Sequence, residues 1–259
     1  MNVIGVIPAR LAASRFPGKP LARILGIPMI GHCYYRTRLA LGASSTFVAT
    51  CDVEIADYIN SIGGQVVMTS SEHTRATTRT AEAIENIEKD SKEKIDIAIM
   101  VQGDEPLISP DAIRRILPNF QDSSVEIVNI MSRLTSYEQF IDRNNVKVVV
   151  NNKSDALYFS REPIPSPWKG IDDFSMYMQT GIIAFRKKTL LNFNSMDESL
   201  LEQIESIDMN RVLESGGNVR MMPIESFTLG VDTNEELKYA EKLMNGDPIV
   251  ESYLHKLIK

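Results

Sequence analysis

The first 120 or so residues alternate between short apolar runs and segments of helical spacing, and this alternation constrains the fold most strongly. The apolar runs have strand length, and the segments between them repeat apolar residues every three or four positions. Repeated strand–helix units are typical of a parallel sheet whose crossovers are helices. We therefore predict an α/β fold. The predicted strands are Val3–Ile7, Thr46–Thr50, Gln65–Met68 and Ile95–Val101, and the predicted helices are Met29–Leu41, Val53–Ile62, Thr77–Glu88 and Ser109–Phe120.

The pattern changes after this region, where strand-like runs follow one another with loops between them. These runs are Val125–Met131, Val146–Val150, Ala156–Ser160 and Met178–Phe185. A long helix over Ser195–Glu214, a strand over Val219–Met222, a helix over Asn234–Met244 and a solvated helical tail are predicted to follow. No repeat or low-complexity linker divides the sequence. We interpret it as a single domain, residues 1–259, with a strand-rich lobe at approximately residues 130–185.

The net charge argues against a general nucleic-acid-binding protein. Lys and Arg total 28 and Asp and Glu total 34, which gives a net charge of -6, whereas phosphate backbones require a basic surface. No stretch approaches the roughly 18 apolar residues of a membrane span, so no membrane insertion is expected. The start of the chain lacks the features of a secretory signal. Cys33 and Cys51 lack metal-ligand spacing and are expected to be reduced, which indicates the cytoplasm.

A cationic loop follows the first predicted strand. Arg10, Arg15 and Lys19 lie close together in it, among prolines and a glycine. Ligands of parallel sheets bind beyond the carboxyl ends of the strands, where such a loop can hold a polyphosphate. The loop has neither the glycine fingerprint of dinucleotide-binding proteins nor the ending of a P-loop. The residues alone leave both a phosphate site and a solvated basic loop open.

Two acidic turns also follow apolar segments. The sequence VQGDEP ends the central predicted strand, and Gly103 in it permits a close approach to a ligand. Asp104 can hold a Mg²⁺ that bridges phosphates, or it can belong to an ordinary turn. Asp232 precedes the last helix, so its spacing alone favours a helix N-cap over a metal ligand. The residues show no Ser-His-Asp arrangement and no zinc-type spacing.

Taken together, these segments resemble the 3-deoxy-manno-octulosonate (Kdo) cytidylyltransferases. The shared motifs occur in order along nearly the whole chain, as IPARLAASRFPGKPL, PMIGH, VATCD, GGQVVMTSSEH, VQGDEP, NNVKVV, ALYFSREPIP, GIIAF, RVLESG and GVDTNEEL. The loop ending FPGKP points to this family rather than to the sialic-acid cytidylyltransferases. The resemblance implies a Rossmann-like, mixed, mostly parallel sheet of the nucleotide-diphospho-sugar transferase type, with a strand-rich dimerisation lobe.

The resemblance implies a homodimer that uses Mg²⁺ to transfer CMP from CTP to the anomeric hydroxyl of Kdo or a close relative, with release of pyrophosphate. It implies Asp104 and Asp232 as metal ligands, which overrides the N-cap interpretation of Asp232, and Lys19 as a further catalytic residue. The remaining implied substrate-binding residues are Arg10, Arg15, Thr77, Arg79, Gln102, Arg161, Gln179, Glu205 and Asp208. Arg161 is suited to pair with the acceptor carboxylate through two hydrogen bonds.

Several positions depart from the family's pattern. Ala76 replaces a glycine of the nucleotide segment. On the acceptor side Gln179 replaces a His, Ile183 replaces a Tyr, and Asp208 and Met209 replace a Glu-Gln pair. These differences leave open a different carboxylate- or phosphonate-bearing acceptor. There are two further alternatives: a nucleotidyltransferase for another NTP, and a non-catalytic homologue that only binds nucleotide. The retained Asp104 and Asp232 argue against the non-catalytic homologue.

Overall fold

The computed structural model describes residues 1–12, 16–168, 170, 176–225 and 228–257. Within it the chain forms two compact units. The first comprises Met1–Arg114 and Thr228–Lys259, and the second comprises Arg115–Phe227. The strand-rich segment predicted at residues 130–185 lies inside the second unit.

The strands, in chain order, are β1 (Val3–Pro8), β2 (Arg23–Ile24), β3 (Ile27–Pro28), β4 (Thr46–Thr50), β5 (Gln65–Met68), β6 (Ile97–Val101), β7 (Ile127–Arg133), β8 (Lys147–Val150), β9 (Ala156–Ser160), β10 (Tyr177–Arg186) and β11 (Arg220–Ile224). The α-helices are α1 (Met29–Leu41), α2 (Val53–Ser61), α3 (Ala76–Ser91), α4 (Pro110–Ile116), α5 (Tyr137–Ile141), α6 (Lys187–Ser195), α7 (Leu200–Glu205), α8 (Met209–Glu214), α9 (Asn234–Met244) and α10 (Pro248–Leu257).

A parallel sheet forms the centre of the first unit. Strand β1 pairs with β6 on one side and with β4 on the other, and β4 pairs with β5. All five residues of β6 are buried, as a strand covered on both faces requires. This arrangement confirms the α/β prediction, and α1, β4 and β5 have the predicted bounds.

The second unit has a mixed sheet. Strand β7 pairs antiparallel with β10 and parallel with β11, and β8 pairs antiparallel with both β10 and β9. Strands β7 to β10 lie at the four strand-like runs predicted here, whereas α5 and α6 were not predicted from the sequence.

The prediction of one long helix over Ser195–Glu214 is wrong. Ser195 ends α6, and Ser199 is the residue before α7, where its amide donates to Glu202 Oε2 at 3.3 Å. Helix α7 ends at Glu205, and the next residue, Ser206, has a left-handed φ of 54°. A helix cannot continue through that conformation, so α8 starts anew at Met209.

The C-terminal tail is helical, as predicted, but it is not simply solvated. Val250 and Tyr253 of α10 are 1% and 3% exposed, because this helix packs on α1 within the first unit. None of the helices in the described part of the chain is long and apolar enough to cross a membrane.

Candidate active site

A pocket of about 290 Å³ lies in the first unit, at the carboxyl ends of β1 and β6. Its wall consists of the end of β1, the loop that follows it, the start of α3, the turn after β6 and the segment before α9. Six of the residues predicted from the sequence line it: Arg10, Lys19, Arg79, Gln102, Asp104 and Asp232. A parallel sheet is expected to bind ligands at this edge.

Lys19 joins the two predicted metal ligands. Its Nζ donates to Asp104 Oδ2 at 2.7 Å and to Asp232 Oδ1 at 2.9 Å. Burial by itself lowers the pKa of Lys19, but the pairing with Asp104 and Asp232 outweighs this effect and raises the pKa above the ordinary lysine value. The ammonium is therefore charged at neutral pH and holds the two carboxylates together.

Hydrogen bonds between two loops fix the spacing of these carboxylates. The Val231 amide donates to the Asp104 carbonyl at 2.9 Å, and the Thr228 hydroxyl donates to Glu105 Oε2 at 2.6 Å. The turn after β6 and the segment before α9 are thus tied at two points. Gly103 contributes by close packing, since a Cβ there would lie 3.1 Å from the Pro8 carbonyl oxygen. Gly103 also lines the pocket, and its expected role of approaching a ligand stays a prediction.

Thr233, rather than Asp232, is the N-cap of α9. The Thr233 hydroxyl accepts from the Glu236 amide, and the Glu236 carboxylate accepts from the amides of Thr233 and Asp232. The N-cap interpretation of Asp232 is therefore wrong, and its carboxylate faces the pocket. Sequence reasoning missed this role of Thr233 and Glu236, although a Thr followed three residues later by Glu is the signature of a capping box.

The start of the cationic loop is anchored to the neighbouring strand. The Leu11 amide donates to Asp52 Oδ2 at 2.7 Å, directly after β4, and the Gly18 amide donates back to the Leu11 carbonyl at 3.1 Å. Gly18 has a φ of 72°, which glycine adopts without strain. Arg10 Nη1 donates to the His73 carbonyl at 3.3 Å. Arg15 lies outside the described residues.

The first turn of α3 carries the predicted nucleotide residues. Thr77 is buried, and Arg79 is anchored by donation from Nη1 to Thr69 Oγ1 at 2.5 Å and from Nη2 to Cys51 Sγ at 3.6 Å. Ala76 lines the pocket as the first residue of α3, without a positive φ. An alanine in place of the family's glycine therefore adds a methyl group to the wall without straining the backbone.

The predicted acceptor-side residues Arg161 and Glu205 lie in the second unit and are hydrogen-bonded to each other. The Arg161 guanidinium donates to the carbonyls of Glu205 at 2.9 Å and Arg143 at 3.0 Å. The Glu205 carboxylate accepts from Ser160 Oγ at 2.7 Å and from the Arg161 amide at 2.9 Å. To pair with an acceptor carboxylate through two hydrogen bonds, the Arg161 guanidinium has to give up its bonds to these carbonyls.

The structure gives a packing reason for two of the four acceptor-side departures. Ile183 and Met209 are 1% and 0% exposed, and apolar side chains suit such positions. Gln179 Nε2 donates to Oδ1 of the buried Asn129 at 2.8 Å, and Asp208 is the residue before α8.

The donor set in the pocket is too small for an ion held by protein alone. The described residues include no group of three or more His, Cys, Asp and Glu side chains that converge on one point. Mg²⁺ is commonly held by one or two carboxylates, with water and substrate phosphates completing its shell. One carboxylate oxygen of Asp104 and one of Asp232 lie within 3 Å of the Lys19 Nζ. Two carboxylates this close together fit that mode of binding.

Comparison with known proteins agrees with this geometry. A family model described as cytidylyltransferase matches residues 4–243. A 3-deoxy-manno-octulosonate cytidylyltransferase of Syntrophotalea carbinolica is 39% identical over 255 residues, which cover 95% of this chain and 100% of the relative.

Two solved structures have the same fold. One is a CMP:2-keto-3-deoxy-manno-octonic acid synthetase complexed with CTP, with a TM-score of 0.86 and 35% identity over 95% of this chain and 100% of that one. The other is a putative glucose-1-phosphate thymidylyltransferase from Bacillus anthracis, with a TM-score of 0.68 and 15% identity over 93% of this chain and 94% of that one, a likeness of fold alone. The fold is therefore the mixed, mostly parallel α/β fold of nucleotidyltransferases, as predicted. The chain belongs to the 3-deoxy-manno-octulosonate cytidylyltransferase family, whose members are nucleotidyltransferase enzymes.

Proposed function

We propose that this chain transfers CMP from CTP to the anomeric hydroxyl of Kdo in a Mg²⁺-dependent reaction that releases pyrophosphate. The observation that carries the proposal is the contact of Lys19 with both Asp104 and Asp232 in a pocket that Arg10 and Arg79 also line. The names of the relatives and the CTP in a neighbouring structure support the choice of both substrates.

The two carboxylates are the proposed magnesium ligands. A bound Mg²⁺ supplies Lewis-acid polarisation of the phosphate and of the attacking hydroxyl. Asp104 and Asp232 suit this ion because carboxylate oxygens are its preferred protein ligands. Loop bonds such as that between Val231 and Asp104 keep the two carboxylates near each other before any ligand arrives.

The cations of the pocket are proposed to receive the triphosphate. Arg10 and Arg15 bind its oxygens, and Lys19 moves from the carboxylates to the phosphates and neutralises charge on the departing pyrophosphate. Arg79 and Thr77 form part of the nucleotide wall at the start of α3. The chemistry needs no protein nucleophile, since the acceptor hydroxyl itself attacks the α-phosphorus.

Gln102, at the end of β6, is proposed to contact the acceptor. The family resemblance predicts the same role for four residues that lie in the second unit. Those residues are Arg161, Gln179, Glu205 and Asp208. Kdo is favoured over an altered acceptor because packing accounts for Ile183 and Met209, which leaves fewer unexplained departures.

We also propose that the enzyme is a homodimer, as the family resemblance implies. The second unit exposes several large apolar side chains that a partner copy could cover: Leu157, Trp168, Leu200 and Ile204. Light scattering at micromolar concentration should give a mass twice that of the 29.0 kDa chain. A monomeric mass at that concentration would contradict the dimer without affecting the catalytic proposal.

A pyrophosphate-release assay tests the reaction. CTP with Kdo and Mg²⁺ is expected to turn over, whereas ATP, GTP or UTP with Kdo, and CTP with Kdo and excess EDTA, are not. Kdo should be compared with 8-amino-Kdo, a nonulosonic acid and a simple phosphonate. Faster turnover of any of these than of Kdo would replace the proposed acceptor, and absence of turnover with every acceptor would reject the enzyme.

A further inference from the structure

We infer that α9 and α10 brace the segment that carries Lys19, and that Tyr253 and Glu241 are positioning residues for the proposed reaction, on which this inference rests. The family model matches residues 4–243, so all of α10 lies beyond the matched region. Hydrogen bonds connect these two helices to the residues that follow Lys19 in the chain.

Lys19 begins a short compact segment. Lys19–Leu21 form a 3₁₀ turn, and the hairpin of β2 and β3 follows directly. The Met29 amide donates to the Ala22 carbonyl at 2.8 Å and closes the base of the hairpin. A displacement of this hairpin would therefore move the backbone from which the Lys19 side chain extends.

The tip of the hairpin is strained. Leu25 has a φ of 49°, a left-handed conformation that is costly for a branched residue, and Gly26 has a φ of 82°. This backbone conformation is maintained only when contacts with the surrounding structure stabilise it. Glu241 of α9 does so, since the Leu25 amide donates to Glu241 Oε1 at 2.8 Å.

Helix α10 holds the strand before the tip through one buried histidine. His32 Nε2 lies 2.8 Å from the Ile24 carbonyl, and His32 Nδ1 lies 2.7 Å from the Tyr253 hydroxyl. Because a carbonyl can only accept, Nε2 carries the hydrogen and Nδ1 accepts from Tyr253. Burial lowers the pKa of His32 to about 4, so the neutral ring and this direction of bonding persist at neutral pH.

A second connection runs from the start of α10 to the segment after Asp104. Asp247 forms an ion pair with the buried Arg36, and Arg36 Nη1 donates to the Ile108 carbonyl at 3.2 Å. Tyr253 stacks on Tyr35 with ring centroids 4.9 Å apart. The C-terminal helices are thus connected both to the segment that follows Lys19 and to the segment that follows Asp104.

The expected consequence is kinetic. Small displacements of a positioned catalytic group reduce the rate of the chemical step more than the affinity for substrate. Loosening the brace should therefore lower kcat with little change in the KM for Kdo. The backbone amides of residues 19–28 should at the same time exchange faster with solvent, because the hairpin opens more often.

The decisive comparison is Tyr253→Phe against Tyr34→Phe. Both changes remove one hydroxyl from a buried tyrosine of the first unit, but only the Tyr253 hydroxyl reaches His32, while that of Tyr34 has no partner among the described residues. Tyr253→Phe should lower kcat about fivefold and speed exchange at residues 19–28, in line with the loss of the hydrogen bond to His32. Tyr34→Phe should change neither quantity.

Equal behaviour of the two variants in both measurements would overturn the brace. Faster exchange across the whole first unit in Tyr253→Phe would also overturn it, because the residue would then stabilise the fold in general. If the wild type fails to turn over CTP and Kdo, the proposed function falls, and exchange at residues 19–28 still decides the brace.

Glu241 provides an independent test by conservative rescue. Glu241→Ala removes the acceptor of the Leu25 amide and should reproduce the lower kcat and the local exchange of Tyr253→Phe. Glu241→Gln keeps an amide oxygen at the same place and should stay within about twofold of the wild type. Loss of activity in both variants alike would mean that the charge of Glu241, rather than its bond to Leu25, is what matters, and would contradict its positioning role.

Discussion

The cluster around Lys19 in the first unit and the pair of Arg211 with Glu202 in the second unit use charge in opposite ways. In the first unit Lys19 pairs with Asp104 and Asp232 in an open pocket, where each group keeps some contact with solvent. In the second unit Arg211 pairs with Glu202 through two bonds of 2.6 and 2.7 Å, and both side chains are almost completely buried. The first cluster can exchange its partners for a ligand, whereas the second is closed. Changes in the first should therefore affect turnover, and changes in the second should affect stability.

The largest effect is expected for Asp104→Asn. This change removes one carboxylate of the pair that Lys19 bridges, and turnover of CTP and Kdo should fall about a thousandfold or more, as for other losses of transition-state stabilisation. The urea midpoint should hardly change, because Lys19 keeps Asp232. Asp57→Asn, on an exposed position of α2, is the matched control and should leave both quantities unchanged. Substantial Mg²⁺-dependent activity in Asp104→Asn would remove Asp104 from the proposed site.

The next effect is expected for Arg211→Leu. The change removes the guanidinium that pairs with the buried Glu202 carboxylate, which should lower the free energy of unfolding by about 3–5 kcal/mol in urea titrations. Arg143→Ala breaks an ion pair with Glu162 whose side chains are mostly exposed, and should cost less than about 1 kcal/mol. Similar losses of unfolding free energy in the two variants would mean that the buried ion pair stabilises the protein no more than the exposed one. The proposed contrast between the two clusters would then be wrong.

The smallest effect concerns the acid side of the stability profile. Burial alone raises the pKa of Glu205, but bonds from the Arg161 amide, Ser160 and Tyr158 outweigh it and hold the pKa below the ordinary value of 4.5. The stabilisation by the charged form is complete above that value and is lost as the pH falls through the lowered pKa.

Glu205→Gln should therefore lower the urea midpoint at pH 7 and flatten its decline below pH 4.5. Asp197→Asn, an exposed acidic position of the same unit, should follow the wild-type profile. A variant profile parallel to that of the wild type throughout the acid range would show that Glu205 does not gain stability from its hydrogen bonds.

Local signals in the sequence predicted the first unit well. Continuous apolar runs such as β6 have one stable placement, the middle of a parallel sheet, and the double glycine after α2 marks its end. The convergence of Lys19, Asp104 and Asp232 came from the family resemblance, because three positions so distant in sequence meet only through tertiary structure. Spacing alone gave the wrong role for Asp232, since it could not decide whether Asp232 or Thr233 would cap α9.

The second unit was harder to predict because its elements are short and depend on contacts across the chain. The break at Ser206 rests on a single left-handed residue, for which serine gives no signal. The partners of Arg161 are largely backbone carbonyls, which any sequence could supply. The burial of Tyr253 depends on a cleft between elements that lie more than 200 residues earlier in the chain.

The contact of Lys19 with Asp104 and Asp232 also has a consequence for the protein when no substrate is bound. Two carboxylates that face one another repel, and many metalloproteins rely on the ion to suppress that repulsion and lose their structure when it is chelated. Here an amino group of the chain itself serves as the resident counter-ion. The close approach of Asp104 and Asp232 in this fold therefore does not depend on a bound cation.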